Sequence, residues 1–222
     1  MSLVLQIVLA VLAFFLCVIP HEIAHGLVAL WLGDPTAKRA GRLSPNPLRH
    51  LDPIGSVILP LALIFIRQFT GAPLVVFGWA KPVPINPYYF RDPWRGMAWV
   101  GLAGPTMNII LAGIAAALAR GIYLAGVRNS LAYMFLALFT VISLLIAFFN
   151  LVPIPPLDGS RILTYFLPSK WRLHLVRLEQ FGIILVVVLM LLGLLDVVRR
   201  GAAAVAFYFL GADIARLSGL WW

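Results

Sequence analysis

Residues 2–33, SLVLQIVLAVLAFFLCVIPHEIAHGLVALWLG, form an apolar run whose only ionisable side chains, the Cys17 thiol aside, are His21, Glu22 and His25. One membrane-crossing helix needs about 20 residues of this kind, so the run points to a chain built in lipid. In a helix of 3.6 residues per turn, His21 and His25 lie one turn apart on the same face. Two imidazoles so spaced can close on one metal ion, with Glu22 beside them to act on a water activated there. Ionisable groups at membrane depth are costly, which makes this cluster the first candidate for a functional site. Pro20 lacks a backbone donor and clashes with the preceding turn, so a kink or break is expected just before His21.

Composition supports the same class. The 222 residues are 62% hydrophobic and 11% charged, against about 45–50% and about 25% in soluble domains. That excludes a sizeable soluble domain and predicts an all-α polytopic membrane protein, a multi-pass integral protein of the cell membrane. The net charge of +9 is scattered over every loop, which suits a lipid bilayer with anionic head groups and argues against nucleic acid as a partner. Cys17 is the only cysteine, so neither an intrachain disulfide nor a thiolate zinc cluster is available. The N-terminus lacks a basic leader and runs straight into the histidines, unlike a signal peptide.

Outward from this run, 33–55 is rich in proline, glycine and charge and reads as an interfacial loop. In it, His50 and Asp52 suit turn and capping roles better than metal binding. A second apolar segment covers 54–69. The stretch 73–85 is β-branched and aromatic with a central Gly78, and reads as a small membrane-associated β-hairpin or, equally, as a proline-rich surface loop. Pro82 and Pro84 would leave one edge of the hairpin without donors and the other free to add a peptide strand. Segments 97–124 and 131–152 are further spans. The first carries Gly101, Ala103, Gly104 and Gly113, small residues that permit close helix approach, and Asn108, which reads first as interhelical glue. Pro153, Pro155 and Pro156 predict an extended chain as it leaves the fourth span. A fifth span at 182–198 and a shorter sixth at 202–217 bring the expected total to five or six transmembrane helices. The whole, 1–222, reads as one membrane-embedded domain, with core motifs over about 15–165 and C-terminal helices over about 180–217.

A catalytic zinc site needs a third protein ligand. Among the remaining acids and histidines, Asp158 stands out because it follows a proline-broken span end, where irregular backbone can line a polar cavity. It is equally an N-cap candidate for a short helix at 159–167.

HEIAH at 21–25, followed by NLVPIPPLDG at 150–159, resembles the site-2 protease family of intramembrane zinc metalloproteases. GDPTA at 33–37, FGWAKPVP at 77–84 and AGPTMN at 103–108 are also similar to family patterns, in the same order. The resemblance covers roughly residues 15–165. It implies that His21, His25 and Asp158 hold one Zn²⁺ per chain and that Glu22 is the general base. Asn150 matches an asparagine at the site, where it would contact substrate or the oxyanion; Asn108 joins it as a candidate substrate-binding residue. It further implies a hairpin near the active site, and a minimal form without a PDZ or nucleotide-binding regulatory module. The expected activity is zinc-dependent hydrolysis of peptide bonds within or near transmembrane segments of membrane-anchored protein substrates. The alternative, a membrane metal-binding or metal-transport protein, would spread further polar ligands along a path through several helices.

Overall fold

The computed structural model describes residues 3–71, 78, 80–127 and 131–211, and among the described residues all regular structure is helical. Helix α1 is Leu3–Trp31 and α2 is the single turn Thr36–Arg39. A π-helical turn, Pro53–Ile58, leads into α3, Leu59–Thr70. The remaining helices are α4 (Pro93–Leu124), α5 (Leu131–Asn150), α6 (Asp158–Phe166), α7 (Ser169–Leu178), α8 (Gly182–Leu191) and α9 (Leu194–Leu210). Among the described residues, five helical runs are long and apolar enough to cross a membrane: Ile7–Trp31, Pro53–Thr70, Pro93–Leu124, Leu131–Asn150 and Ser169–Leu191.

The bundle is organised on α4, which packs against α1, α5, α6 and α9. Its start is set locally. Asp92 accepts from Trp94 N–H (3.0 Å) and Arg95 N–H (3.1 Å), and Pro93 follows at the position where a missing N–H costs nothing. Along its inner face run Gly101, Gly104, Asn108, Ala112, Ala115, Ala116 and Ala119, all buried. Steps of three and four residues make that a single stripe of mostly small side chains. Where lipid supplies no hydrophobic drive, such a stripe lets helices gain dispersion contact by close approach. Ala112, Val141, Leu144, Ala202 and Ala206 form one core cluster between α4, α5 and α9, and Ala116, Ala119, Tyr133, Ala137 and Leu210 form another. By contrast α3 exposes Leu61, Phe65, Ile66 and Phe69, as a lipid-facing helix would.

Four expectations are revised. The helix is not interrupted at Pro20, which lies inside α1. No strand occurs among the described residues, so the hairpin at 73–85 is not borne out; 72–77 and 79 lie outside them. The physical reason is visible in 80–85. The Lys81 N–H is given to the His50 carbonyl (2.9 Å) and the Val83 N–H to the Glu22 carboxylate (3.2 Å). With Pro82 and Pro84 having no N–H at all, no donor is left for a ladder between Lys81 and Pro84. The proline run after α5 is folded rather than extended, with Ile154 N–H on Val152 O (2.8 Å) and Leu157 N–H on Ile154 O (2.9 Å); Pro155–Pro156 is cis. Finally, the fifth span is Ser169–Leu191 instead of 182–198. The chain breaks at Gly193, whose φ of +92° few other residues adopt, so Arg199 and Arg200 fall inside α9 rather than closing a span. Of the expected sixth segment, 202–210 is in α9, and 212–217 lie outside the described residues.

Candidate metal centre

His21 and His25 point from one face of α1 into the bundle, and both are buried. Their ring centroids lie 4.6 Å apart, edge to face. The Asp158 carboxylate meets them from the first turn of α6: its Oδ2 is 3.2 Å from His21 Nε2 and 3.1 Å from His25 Nε2. The alternative reading of Asp158 as an N-cap does not hold, since α6 has no side-chain cap bond. Among the described residues, His21, His25 and Asp158 are the group of His, Cys, Asp and Glu side chains close enough to share a metal ion.

The arrangement fits a metal. His25 Nδ1 lies 2.7 Å from the Val100 carbonyl oxygen. A carbonyl only accepts, so Nδ1 carries the hydrogen and Nε2 is the nitrogen that faces Asp158. Two acceptors 3.1 Å apart are held together only by a shared positive centre, a proton or a metal ion. Atoms bound tetrahedrally to zinc at about 2.0–2.1 Å sit roughly 3.3 Å apart, close to the observed spacing. The Nδ1–carbonyl contact is also how metal-ligating histidines are commonly oriented. Two nitrogens and one oxygen would suit a three-ligand set of the catalytic kind, which leaves its fourth position to water or substrate.

Neighbours complete the site. Arg161, one turn along α6, reaches Asp158 Oδ1 with its Nη1 (3.3 Å), leaving Oδ2 to the histidines. Burial opposes ionisation of Asp158, yet His25, His21 and Arg161 outweigh it and hold the carboxyl well below the usual carboxylate range. Gly104 of α4 lies directly against the imidazoles: a Cβ there would stand 2.5 Å from His21 Nε2 and 2.5 Å from His25 Nε2. At Gly101 a Cβ would come 2.8 Å from the Asp158 carbonyl oxygen. These glycines are where α1, α4 and α6 close on one another. Spacing had marked them only as packing residues.

Glu22 is half-buried beside the histidines, with Oε2 accepting from Val83 N–H. A cavity of about 750 Å³ opens onto the group, lined by His21, Glu22, His25, Asp158, Arg161 and Asn150, by Glu179 and Gln180, and otherwise by apolar residues of α1, α5, α8, α9 and the loops before α4 and α6. Asn150 reaches this cavity while its Nδ2 donates to Ile146 O (3.0 Å). Asn108 does not line it. It is completely buried, its carboxamide has no partner among the described residues, and its backbone oxygen accepts from Ser143 Oγ (2.9 Å). His50 is buried in its loop with Nε2 on the Ser44 carbonyl oxygen (2.8 Å), and Asp52 caps the π-helical turn through Ile54 N–H and Gly55 N–H. Asp34, in the GDPTA stretch, is fully buried and holds Thr36 and the Asn86 N–H (2.7 Å).

The sequence model described as Peptidase family M50 matches residues 121–195. YwhC of Bacillus subtilis (strain 168), named as a candidate zinc metalloprotease, is 36% identical over 174 residues, which cover 76% of this chain and 74% of YwhC. Rip2 of Mycolicibacterium smegmatis, named likewise, is 27% identical over 83% of this chain and 67% of its own length. Rip2 of Mycobacterium tuberculosis (strain H37Rv) is 28% identical over 77% of this chain and 62% of its own length. No solved structure matches the chain. The identity to YwhC across most of both chains, together with the family match over α5 to α8, shows that this chain belongs to peptidase family M50, the site-2 protease family of zinc metalloproteases.

Proposed function

We propose that this chain is an intramembrane zinc endopeptidase of the cell membrane, hydrolysing peptide bonds within or near transmembrane segments of membrane-anchored proteins. The observation that carries the reading is the meeting of His21, His25 and Asp158 at one buried point, next to Glu22, on an apolar-walled cavity inside a bundle of membrane-length helices. His21 Nε2, His25 Nε2 and Asp158 Oδ2 would hold one Zn²⁺ per chain. When bound, such an ion polarises the scissile carbonyl and lowers the pKa of water to about 7. Glu22 takes the proton of the attacking water and delivers it to the leaving amide nitrogen, so that one water is added across the C–N bond. Arg161 holds Asp158 by its outer oxygen, Val83 N–H holds Glu22, and Asn150 contacts the substrate backbone from the cavity wall. The apolar side chains Phe14, Val18, Leu145 and Phe149 keep bulk water from the site and suit an apolar substrate segment. A transport role finds less support, because the described residues offer one compact ligand group rather than a series.

The test is cleavage of a single-span membrane protein by the purified chain in liposomes, with product termini mapped by mass spectrometry. The expected cut lies in or beside the substrate's span, is lost on treatment with 1,10-phenanthroline and returns with added zinc. Chelator-insensitive cleavage, or cleavage of soluble peptides alone, would contradict the reading.

A further inference from the structure

Arg42 sits in the loop after α2 and is only 5% exposed, yet it has no carboxylate partner among the described ion pairs. A buried charge without compensation is expensive. Its guanidinium is instead spent on three main-chain carbonyls: those of Arg49, Lys81 and Pro82, the last at 3.0 Å. Burial draws its pKa below the usual value, and the nearby Glu22 carboxylate offsets part of that.

The Pro82 carbonyl and the Val83 N–H are the two ends of one peptide unit. That unit is planar, with oxygen and hydrogen pointing in opposite directions, so a grip on the oxygen aims the N–H. Arg42 Nη2 holds the oxygen, and at the other end the N–H is 3.2 Å (N···O) from Glu22 Oε2. A cation on the carbonyl and a carboxylate on the N–H also polarise the amide in the same sense. Between Lys81 and Pro84 no other N–H can substitute. Pro82 and Pro84 have no N–H, and the Lys81 N–H is committed to His50. Val83 is fixed in turn against α1, where its Cγ1 would stand 3.4 Å from a Cβ at Gly26, one turn beyond Glu22.

We propose that Arg42 is a positioning residue for Glu22, acting through the Pro82–Val83 peptide plane. The proposal rests on reading Glu22 as the base, but its test does not depend on activity. The full chain is labelled with ¹⁵N-valine, loaded with zinc in detergent micelles, and the Val83 amide is assigned by its loss in Val83→Ile. Glu22→Gln is expected to displace that amide proton. Arg42→Gln should displace it as well, and on the Arg42→Gln background the further Glu22→Gln change should move it little. Zinc content and the amides of Val28 and Val100 should stay as in the wild type. With a cleavable substrate, Arg42→Gln should lower kcat about 10- to 100-fold, within the range general-base catalysis supplies, with KM within about threefold; Arg42→Lys, which keeps the charge but not the fork, should recover part of the loss.

A Val83 amide that is unchanged in Arg42→Gln and still senses Glu22→Gln overturns the proposal. So does a general displacement of amides with loss of zinc in both Arg42→Gln and Arg42→Lys, which marks a purely structural residue. If Arg42→Gln alone fails to fold, Arg42→Lys gives the same amide readout. Absence of cleavage by the wild type would count against the protease reading and leave the amide result to decide the role of Arg42.

Discussion

Glu22→Gln should bind zinc as the wild type does and cleave a transmembrane substrate about 10²–10⁴-fold more slowly, the span over which general acid–base catalysis operates. The carboxamide keeps the size of the side chain and an oxygen for the Val83 N–H, which lies 3.2 Å (N···O) from Oε2. It loses the basicity needed to take a proton from water. Because Glu22 is not one of the three converging side chains, metal content should be unchanged. Parallel zinc analysis and initial-rate measurements check both halves. Cleavage at the wild-type rate would end the assignment of Glu22 as base, and zinc loss would mean that it serves the metal instead.

Asp158→Ala has the second large effect, on the metal itself. The carboxylate is one of three donors, with Oδ2 at 3.2 and 3.1 Å from the two imidazoles. Removing even a residue that merely supports a ligand typically costs 10–100-fold in metal affinity, so deleting a ligand should cost more than about 100-fold. It also strips Arg161 of its 3.3 Å partner. Competition with a chelator of known zinc affinity measures the change directly. Unaltered affinity would reduce Asp158 to a partner of Arg161.

Much of this site was legible in the sequence because its signals are local or chemically rare. His21, Glu22 and His25 are the ionisable residues of a long apolar run, and helical spacing alone puts the imidazoles on one face. Asp158 was reachable because three prolines in the preceding residues disrupt regular structure next to it. Arg161, Gly104 and Arg42 were not legible as site residues, since their partners are brought in by tertiary packing. Arg42 in particular looks like one more loop cation, and its carbonyl partners at Lys81 and Pro82 lie some 40 positions away.

The errors have similar causes. Composition over 73–85 favours strands, but in its described part Arg42, His50 and Glu22 take the backbone groups a ladder would need. Apolar character runs almost unbroken through α8 and α9, so the arginine pair looked like a natural end. The actual break is set by backbone conformation at Gly193, where φ is +92°. Of the small residues of α4 that the sequence marks for close packing, Gly101 and Gly104 lie in its buried stripe, whereas Ala103 and Gly113 are only partly buried. That the stripe closes directly on the imidazoles required coordinates.

The claim on which all of this depends is that two imidazoles of α1 and a carboxylate of α6 share one zinc ion. Zinc K-edge X-ray absorption on the Glu22→Gln protein tests it most directly. The account predicts one zinc per chain with two imidazole nitrogens and oxygen donors at roughly 2.0–2.2 Å, and a shell that changes in Asp158→Ala. A shell lacking imidazole, or one indifferent to Asp158→Ala, would contradict it.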